Sequence, residues 1–341
     1  SSGPNPQLQF FDSTNGVTAQ DLGLAGNPAF SFVAGSPDGL DLAAKLTWQT
    51  PISALRGVTG SLGSIKLNNL GQSRVIDLSS AATLEDVKNL IEGSGVGVRV
   101  ELNADRTSIN VVNETSAGRA QAMSIEEVAG GNYTATRLGI RTLSSSTRLS
   151  DFNDGRGVQI VEGGVDPVTG LPDPARNVDF SIRLGDSGGT SFTVDLRPGD
   201  VATVRTLMDR INSEAQAAGI NVPADFEAVL GDGPNGIVFR QNSTYTAPIS
   251  IEAKNSSRAA EQLGLLDGAY DPTTSSFRAS DRAKVRVDSL FTQLIDLRDA
   301  LLANDTSGIT LAGEKLEGSV DRLAQTRALV GVYDKRVEDG T

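Results

Sequence analysis

The sequence of 341 residues predicts an α+β protein with two repeated small antiparallel β-sheet modules, each with a covering helix, and a C-terminal antiparallel helical hairpin. Three observations predict this fold. A short phrase, Leu-Gly followed by Ile or Leu, recurs at 22–24, 138–140 and 263–265. Residues 50–140 resemble residues 147–265 segment by segment, and beyond residue 270 the apolar residues take up helical spacing.

The two similar regions contain matching segments in the same order. Near the start of each, "SIKL" (64–67) matches "SIRL" (181–184), and near the end "MSIEE" (123–127) matches "ISIEA" (249–253). The intervening pairs also match: "VIDL" with "TVDL", "TLEDVKNLIE" with "DVATVRTLMDRIN", "VRVEL" with "FEAVL", and "SINVVNET" with "GIVFRQNST". Because the order is preserved throughout, the chain contains two copies of one structural unit.

Each unit begins with two strands, because apolar and polar residues alternate in 65–67 and 75–78. A helix follows in both units. In the first unit Thr83 and Asp86 form a start signal of the capping-box type, and in the second we expect Asp200 to be the cap. The apolar stripes of the two helices are Leu84, Val87, Leu90 and Ile91, and Val204, Leu207, Met208 and Ile211.

After the helix, each unit has two strands around a turn rich in Gly or Asp, and then a last strand. The recurring Leu-Gly phrase follows the last strand. We interpret it as a final helical turn that ends at Gly, with its two apolar residues packed under the sheet. Residues 159–176 carry several Pro and Gly turn signals without periodicity, which predicts an exposed loop.

These patterns divide the chain into four parts. Residues 1–46 are an N-terminal segment that ends an upstream module, residues 47–141 and 142–276 are the two modules, and residues 277–341 are a helical domain.

The helical domain consists of two predicted helices joined by "NDTSG" (304–308). The apolar stripe of the first, over 281–304, includes Leu290, Leu294, Leu297 and Leu301, and that of the second includes Leu316, Val320, Leu323, Val330 and Val337. The second stripe has nearly heptad spacing, interrupted by Arg327 and Asp334. Two helices of roughly 20 and 30 residues cannot cover both stripes without another helix. We therefore expect the chain to be a trimmed part of a longer protein.

Composition argues against several functional classes. A net charge of −12 and no cluster of Lys and Arg disfavour binding to nucleic acid or to an anionic membrane. The chain has no Cys and no His, which excludes a thiol nucleophile, an imidazole base and the common zinc ligands. Only one Trp is present as a platform for sugar, so carboxylate-based glycoside hydrolysis is disfavoured. We expect no enzymatic activity and no cofactor.

Two motifs partly match known ligand-binding loops, but the residues around them do not fit such loops. Asp151, Asn153 and Glu162 have the spacing of positions 1, 3 and 12 of a calcium loop, but Arg156 stands where that loop needs Gly. The glycines of "GSGVGV" (93–98) follow a helix, whereas a phosphate-binding loop leads from a strand into a helix. We expect a solvated turn at the first and a helix stop at the second, and no metal site.

Residues 287–338, "VDSLFTQLIDLRDALLANDTSGI" and "LEGSVDRLAQTRALVGVYDKRVE", resemble the C-terminal helices of the hook-associated protein 3 family, the hook-filament junction proteins related to flagellin. The two modules are similar to the flagellin hook IN repeat. This resemblance implies a structural protein of the bacterial flagellum that leaves the cell through type III export. It would assemble with its helices inward and its β modules outward.

The implied partners are other copies of the chain in a ring, a neighbouring hook-associated protein, flagellin and an export chaperone. The implied location is the extracellular flagellum, with a role in motility. Three alternatives stay open: flagellin itself, a filament cap protein, or an extracellular adhesin or carbohydrate-binding repeat protein.

The helical stripes supply the candidate assembly interface. Its residues are Leu290, Leu294, Leu297, Leu301, Leu316, Val320, Leu323 and Val330. A helical stripe packs either within its own chain or against a neighbour, and one face of a long helix can do both.

Overall fold

The computed structural model describes residues 31–33, 36–38 and 45–339. The first Leu-Gly phrase, at 22–24, and most of the predicted segment 1–46 lie outside the described residues. The strands are β1 (Ser31–Val33), β2 (Ser36–Asp38), β3 (Ser64–Asn69), β4 (Gln72–Asp77), β5 (Val98–Leu102), β6 (Ile109–Asn113), β7 (Ser124–Glu127), β8 (Phe180–Arg183), β9 (Ser191–Val194), β10 (Phe226–Leu230), β11 (Ile237–Gln241), β12 (Ser250–Ala253), β13 (Ala269–Asp271) and β14 (Ser276–Arg278).

The main helices alternate with these strands and end the chain. They are α1 (Leu84–Glu92), α2 (Thr134–Arg137), α3 (Val204–Ala217), α4 (Ala259–Gln262), α5 (Leu290–Leu302) and α6 (Thr306–Asp339). Shorter helical turns lie at Ile52–Ala54, Arg119–Gln121, Leu149–Asp151, Phe152–Gly155 and Pro174–Arg176. The predicted α+β class, with repeated sheet modules and a final helical hairpin, is confirmed.

The two modules have the same topology. In the first, β4-β3-β7 form a three-stranded antiparallel sheet and β5-β6 form a separate hairpin. In the second, β12-β8-β9 form the equivalent sheet and β10-β11 the equivalent hairpin. The helix between them, α1 or α3, contacts the hairpin and the end of the small sheet. Each module therefore encloses its core between two sheets and a helix, where the sequence predicted one sheet and a helix.

Each module has its own hydrophobic core. The first core draws buried residues from 52–140 and the second from 143–283. Leu84, Val87 and Ile91 on α1 are fully buried, as the stripe predicted. The second core contains more buried residues and includes three packed aromatic rings. The ring centroid of Phe226 lies 5.1 Å from that of Phe192 and 5.6 Å from that of Phe239. Burial of each such side chain contributes about 1.5–3 kcal/mol.

The cap of α1 is the predicted one and the cap of α3 is not. The Thr83 hydroxyl accepts from the Asp86 amide, and the Asp86 carboxylate accepts from the Thr83 amide. In the second module Thr203 takes this role, with Thr206 as its partner. The prediction of Asp200 was wrong because its carboxylate accepts from the Arg197 amide, in the turn before the helix.

Both described Leu-Gly phrases end a helical turn, as predicted. Gly139 and Gly264 have φ of +70° and +75°, a conformation that glycine adopts without steric cost. After each Gly, the next amide reaches back five residues, from Ile140 to the Ala135 carbonyl and from Leu265 to the Ala260 carbonyl. The flanking leucines and isoleucine are buried in the module core.

Two features after residue 265 differ from the prediction. The β13-β14 hairpin adds two strands to the β10-β11 sheet, so the module's sheet reaches Arg278. The first long helix begins at Leu290, so the prediction that it begins at Asp281 was wrong. Residues before it are extended, because the Val285 amide and carbonyl both pair with the backbone of Met123 at 2.8 and 2.9 Å.

The hairpin turn and the long loop agree with the sequence. Asn304 ends α5 with φ of +52°, and the Asp305 carboxylate accepts from the Gly308 amide to cap α6. Within 159–176, Val165 and Pro172 form an isolated bridge, and Val168 at the tip is 91% exposed.

Replacing Thr203 with Ala should lower the free energy of unfolding by about 0.5–2 kcal/mol, because the Thr206 amide loses its acceptor. Thr203→Ser keeps a hydroxyl and should stay within a few tenths of a kcal/mol of the parent chain. Urea denaturation followed by circular dichroism measures both. Equal losses in the two variants would show that the hydroxyl is not the cap.

Candidate functional site

The helix α5 packs onto the modules with its polar side. Its buried residues are Thr292, Gln293, Asp296 and Ala300. Its large apolar residues face outward instead: Phe291 is 69% exposed and Leu302 is 80% exposed. The Ser289 hydroxyl caps the helix by accepting from the Thr292 amide at 3.1 Å. The amphipathic helix is thus inverted with respect to the body of the protein.

A buried arginine fixes this inverted orientation. Arg286 places its guanidinium 2.7 Å from the Asp154 carboxylate and donates to both oxygens of Asp296, at 2.7 and 2.9 Å. It also donates to the carbonyl of Ala117 at 3.4 Å. Its side chain is 6% exposed. Burial disfavours the charge, but the bonds to Asp296 and the charge of Asp154 outweigh it and raise the pKa of Arg286.

Both modules contribute to this cluster, which we call the hairpin socket and define as Arg119, Asp154, Arg286, Asp296 and Lys315. Arg119, from the first module, lies 2.8 Å from the Asp154 carboxylate, and Asp154 belongs to the second module. Lys315 on α6 donates to the Asp154 carbonyl at 3.1 Å. The hairpin base is therefore held by charged groups from two separate modules.

The second helix runs far beyond this base. Its 34 residues extend about 51 Å at 1.5 Å per residue. Arg322 on α6 lies 3.4 Å from Asp288, which comes just before the first residue of α5. The two helices therefore lie side by side only up to Arg322. From residue 321 onward, every residue of α6 whose side chain is described is exposed. The described side chains of this part of α6 are therefore accessible to a partner.

The predicted interface residues divide into two groups. Leu290, Leu297 and Leu316 are half-buried. The others are largely exposed: Leu294 (48%), Leu301 (57%), Val320 (56%), Leu323 (61%) and Val330 (61%). None of the eight belongs to either module core. The sequence missed further exposed apolar residues on the same helices, namely Phe291, Leu302, Leu329, Val332 and Tyr333.

The modules themselves meet at a second polar cluster, which sequence reasoning also missed. Arg141, from the segment that joins the modules, is 8% exposed and donates to the carbonyls of Gly231 and Gly233 at 3.0 and 3.3 Å. It also donates to the Asn235 side chain at 3.0 Å. Asn235 in turn donates to the Ile125 carbonyl of the first module. Burial lowers the pKa of Arg141.

Asp281 completes this cluster. Its carboxylate accepts from Asn235 at 3.2 Å and from the Ala283 amide at 2.8 Å. Burial raises its pKa, and the nearby negative charge of Glu126 adds to the effect. The hydrogen bonds and the charge of Lys284 oppose the shift without cancelling it.

The segment with calcium-loop spacing contains a tight turn, in which Asn153 and Asp154 have φ of +55° and +65°. Asn153 donates its side-chain amide to the carbonyls of Gly157 and Gln262, so it stabilises a turn. Across the described residues, no cluster of three or more His, Cys, Asp or Glu is arranged to hold a metal ion. Among the described helices, none combines the length and apolar content needed to cross a bilayer.

Comparison with known proteins gives one structural match. No protein-family model and no curated protein matches the chain. The crystal structure of the flagellar cap protein FliD from Helicobacter pylori matches at 16% sequence identity and a TM-score of 0.20. The match covers 68% of this chain and 56% of the cap protein chain. At that TM-score the similarity assigns neither a fold nor a function.

Arg286→Met should lower the free energy of unfolding by about 3–5 kcal/mol, because the buried Asp296 carboxylate loses the guanidinium that donates to both of its oxygens and Asp154 keeps only Arg119 as a cation. Arg298→Met is the matched control, since Arg298 is 64% exposed and pairs only with its neighbour Asp299 among the described residues. That variant should lose less than about 1 kcal/mol. Urea denaturation gives both values, and similar losses would show that the hairpin socket contributes no more than a surface pair.

Asp281 should make stability depend on pH. Because its folded pKa is raised, its contribution is fully present below the ordinary value of 3.8 and is lost as pH rises through the folded pKa. Asp281→Asn lacks this titration. The stability of the parent chain relative to Asp281→Asn should therefore increase as pH is lowered from 7 to about 4. Urea denaturation at several pH values measures the difference, and a constant difference would contradict the shift.

Proposed function

We propose that this chain is a non-enzymatic structural protein of the bacterial flagellum that joins the hook to the filament through helix packing, with its β modules facing outward. The observation that carries the proposal is the uncovered apolar surface of α5 and α6 above a polar, buried base. The sequence resemblance of residues 287–338 to hook-filament junction proteins supports the same reading.

The exposed part of α6 is suited to helix packing. Leu316, Leu323, Val330 and Val337 recur every seven residues along α6, and the last three lie in its exposed part. Such spacing creates a seam that fits the grooves of another helix. About 25 Å of helix extends beyond residue 322 with its described side chains exposed, and a helix in water takes most of its stability from packing of an apolar face. A partner helix would supply that packing.

The polar breaks in this seam favour a specific partner over nonspecific clustering. Arg327 lies at a position where a coiled coil takes an apolar residue. A charged group at such a position stabilises only arrangements that pair or solvate it. The partners we propose are helices of neighbouring subunits in a ring, with a neighbouring hook-associated protein and flagellin on either side, and a chaperone during export.

The hairpin socket supports the outward placement of the modules. Because Arg286 ties the base of α5 to loops from both modules, the hairpin and the modules keep one relative orientation. Subunits joined through α6 would then all present their modules in the same direction. The proposed location is the extracellular part of the flagellum. Flagellin, a cap protein or an adhesin built from repeated sheet domains are the other candidates.

Electron microscopy of a strain lacking the gene separates these candidates. Intact hooks without filaments are expected of a junction protein. Intact filaments would instead indicate an adhesin and contradict the proposal. If the strain makes hooks without filaments, a second experiment supplies purified hooks with this protein alone. Growth of filaments on those hooks would indicate flagellin.

Leu323→Asp combined with Val330→Asp should abolish filament formation when introduced into the natural gene, because two charges would stand on the seam. The purified chain should keep its parent helicity, since both residues are exposed. Gln325→Asp with Val332→Asp is the matched control, also seven residues apart but on the opposite side of α6. Filament counts by electron microscopy and circular dichroism provide the two readouts. Normal filaments with the seam variant would refute helix packing through this face.

A further inference from the structure

The two modules cover different edges of their three-stranded sheets. In the first module the outer edge of β7 is covered, because the amide and carbonyl of Met123 both bond to the backbone of Val285. The Ile125 carbonyl also accepts from the Thr142 amide at 3.1 Å. The counterpart of β7 is β12, and among the described residues no backbone group pairs with its outer edge. The second module therefore leaves open an edge that the first module closes.

At the opposite edge of these sheets the relation is reversed. In the second module Arg210 on α3 donates to the carbonyl of Asp195, directly after β9, at 2.9 Å. The counterpart of β9 is β4. Because Ile91 on α1 matches Ile211 on α3, Leu90 takes the place of Arg210 in the first module. A leucine side chain has no hydrogen-bond donor, so it cannot close the β4 edge in this way. Each module thus has one open edge, β4 in the first and β12 in the second.

The bonds inside each sheet show which backbone groups point outward. The Leu78 amide donates to the Gly63 carbonyl at 3.1 Å, so even-numbered residues of β4 face β3 and residues 73 and 75 face away. The Lys254 amide donates to the Asp179 carbonyl at 2.8 Å, so residues 250 and 252 face β8 and residues 251 and 253 face away. Each open edge therefore presents unpaired amides and carbonyls at alternate residues, which is the template for another strand.

We propose that β4 of one copy of this chain pairs with β12 of a second copy, in antiparallel register with Val75 opposite Ile251. Ser73 then lies opposite Ala253, and both pairs exchange backbone hydrogen bonds through their outward groups. The two three-stranded sheets become one continuous sheet. Because β4 and β12 are different edges of the same chain, each copy keeps one edge for the next copy. The contact therefore joins copies head to tail.

Charge complementarity favours this partner and this register. Arg74 lies opposite Glu252, so a cation and an anion stand side by side on one face of the joined sheet. Arg74 is exposed, and among the described residues it donates only to the Ser73 carbonyl, at 3.3 Å. The Glu252 side chain is 73% exposed beside Lys254. Sliding the strands by two residues would set Arg74 opposite Lys254 or Ser250, and either register loses the ion pair.

Apolar contact on the other face favours the same pairing. Val75 is 63% exposed on the β4 edge, and Ile251 is half-buried at the border of the second core. A direct cross-strand pair of these two β-branched side chains would cover Val75. The outer edge of β6 is also open among the described strands, but residues 109–113 include no charged residue to match either partner.

Disulfide cross-linking tests the register, because the chain has no cysteine. Arg74→Cys and Glu252→Cys are made as separate proteins and mixed under mild oxidation. Ser73→Cys mixed with Glu252→Cys is the matched control, since its thiol points to the other face of the sheet. The first mixture should give at least roughly tenfold more mixed dimer, because opposite residues of such a pair lie within disulfide reach. Equal yields would overturn the proposal, as would a predominant dimer of Arg74→Cys with itself.

Proline substitution tests whether the backbone edge makes the contact. Val75→Pro removes an amide that faces away from β3, so the module should fold while the cross-link between Arg74→Cys and Glu252→Cys falls at least roughly tenfold. Thr193→Pro is the matched control, because Thr193 is the counterpart of Val75 on the outer edge of β9. That variant should leave the cross-link unchanged, and circular dichroism compares the folding of both. A cross-link that survives Val75→Pro would overturn the proposal.

Charge reversal tests the ion pair without changing the backbone. Glu252→Arg should weaken self-association by roughly fivefold, because two cations would then stand opposite each other. Adding Arg74→Glu to the same chain should restore the association. Sedimentation equilibrium measures both in the Leu323→Asp and Val330→Asp background, so the result does not depend on the proposed packing of α6. Failure of the second change to restore association would overturn the register.

Discussion

The buried guanidinium of Arg286 is the contact on which the arrangement of the helical hairpin depends. It lies between a carboxylate of the second module and a carboxylate on α5, and it reaches a backbone carbonyl of the first module. Removing the guanidinium would leave the buried Asp296 carboxylate without its bidentate partner, which costs several kcal/mol. The helix therefore turns its polar side inward, and Phe291, Leu301 and Leu302 lie on the outer surface.

This inversion links the stability of the hairpin base to the proposed assembly role of the helices. In an ordinary amphipathic helix, burial of the apolar face in the molecule's own core leaves nothing for a partner. Here charge pairing fixes the base while Phe291, Leu302 and the seam of α6 remain accessible. A rigid base with an uncovered apolar extension suits a subunit that completes its core only in an assembly.

The duplicated modules differ at the edge of one hairpin. Both have such a hairpin, β5-β6 or β10-β11, and in the second module the outer strand β11 pairs with β14, from the segment that follows the Leu-Gly phrase. Among the described strands, none pairs with the outer edge of β6. The chain after the first module is committed elsewhere, because Arg141 is buried against the second module immediately after the Leu-Gly phrase.

The sequence alone determined the features that depend on near neighbours. Alternation predicted the strands, the stripe of Leu84, Val87 and Ile91 predicted α1, and the Leu-Gly phrase predicted a helix stop, because each pattern expresses the local geometry of the backbone. Only the tertiary structure decided which side of α5 is buried, where that helix begins and how the modules join. Those outcomes rest on Arg286 meeting Asp154 across 132 positions of the chain, and on Val285 pairing with Met123. Local periodicity contains no information about partners at that separation, so the same apolar stripe fits an inward or an outward face.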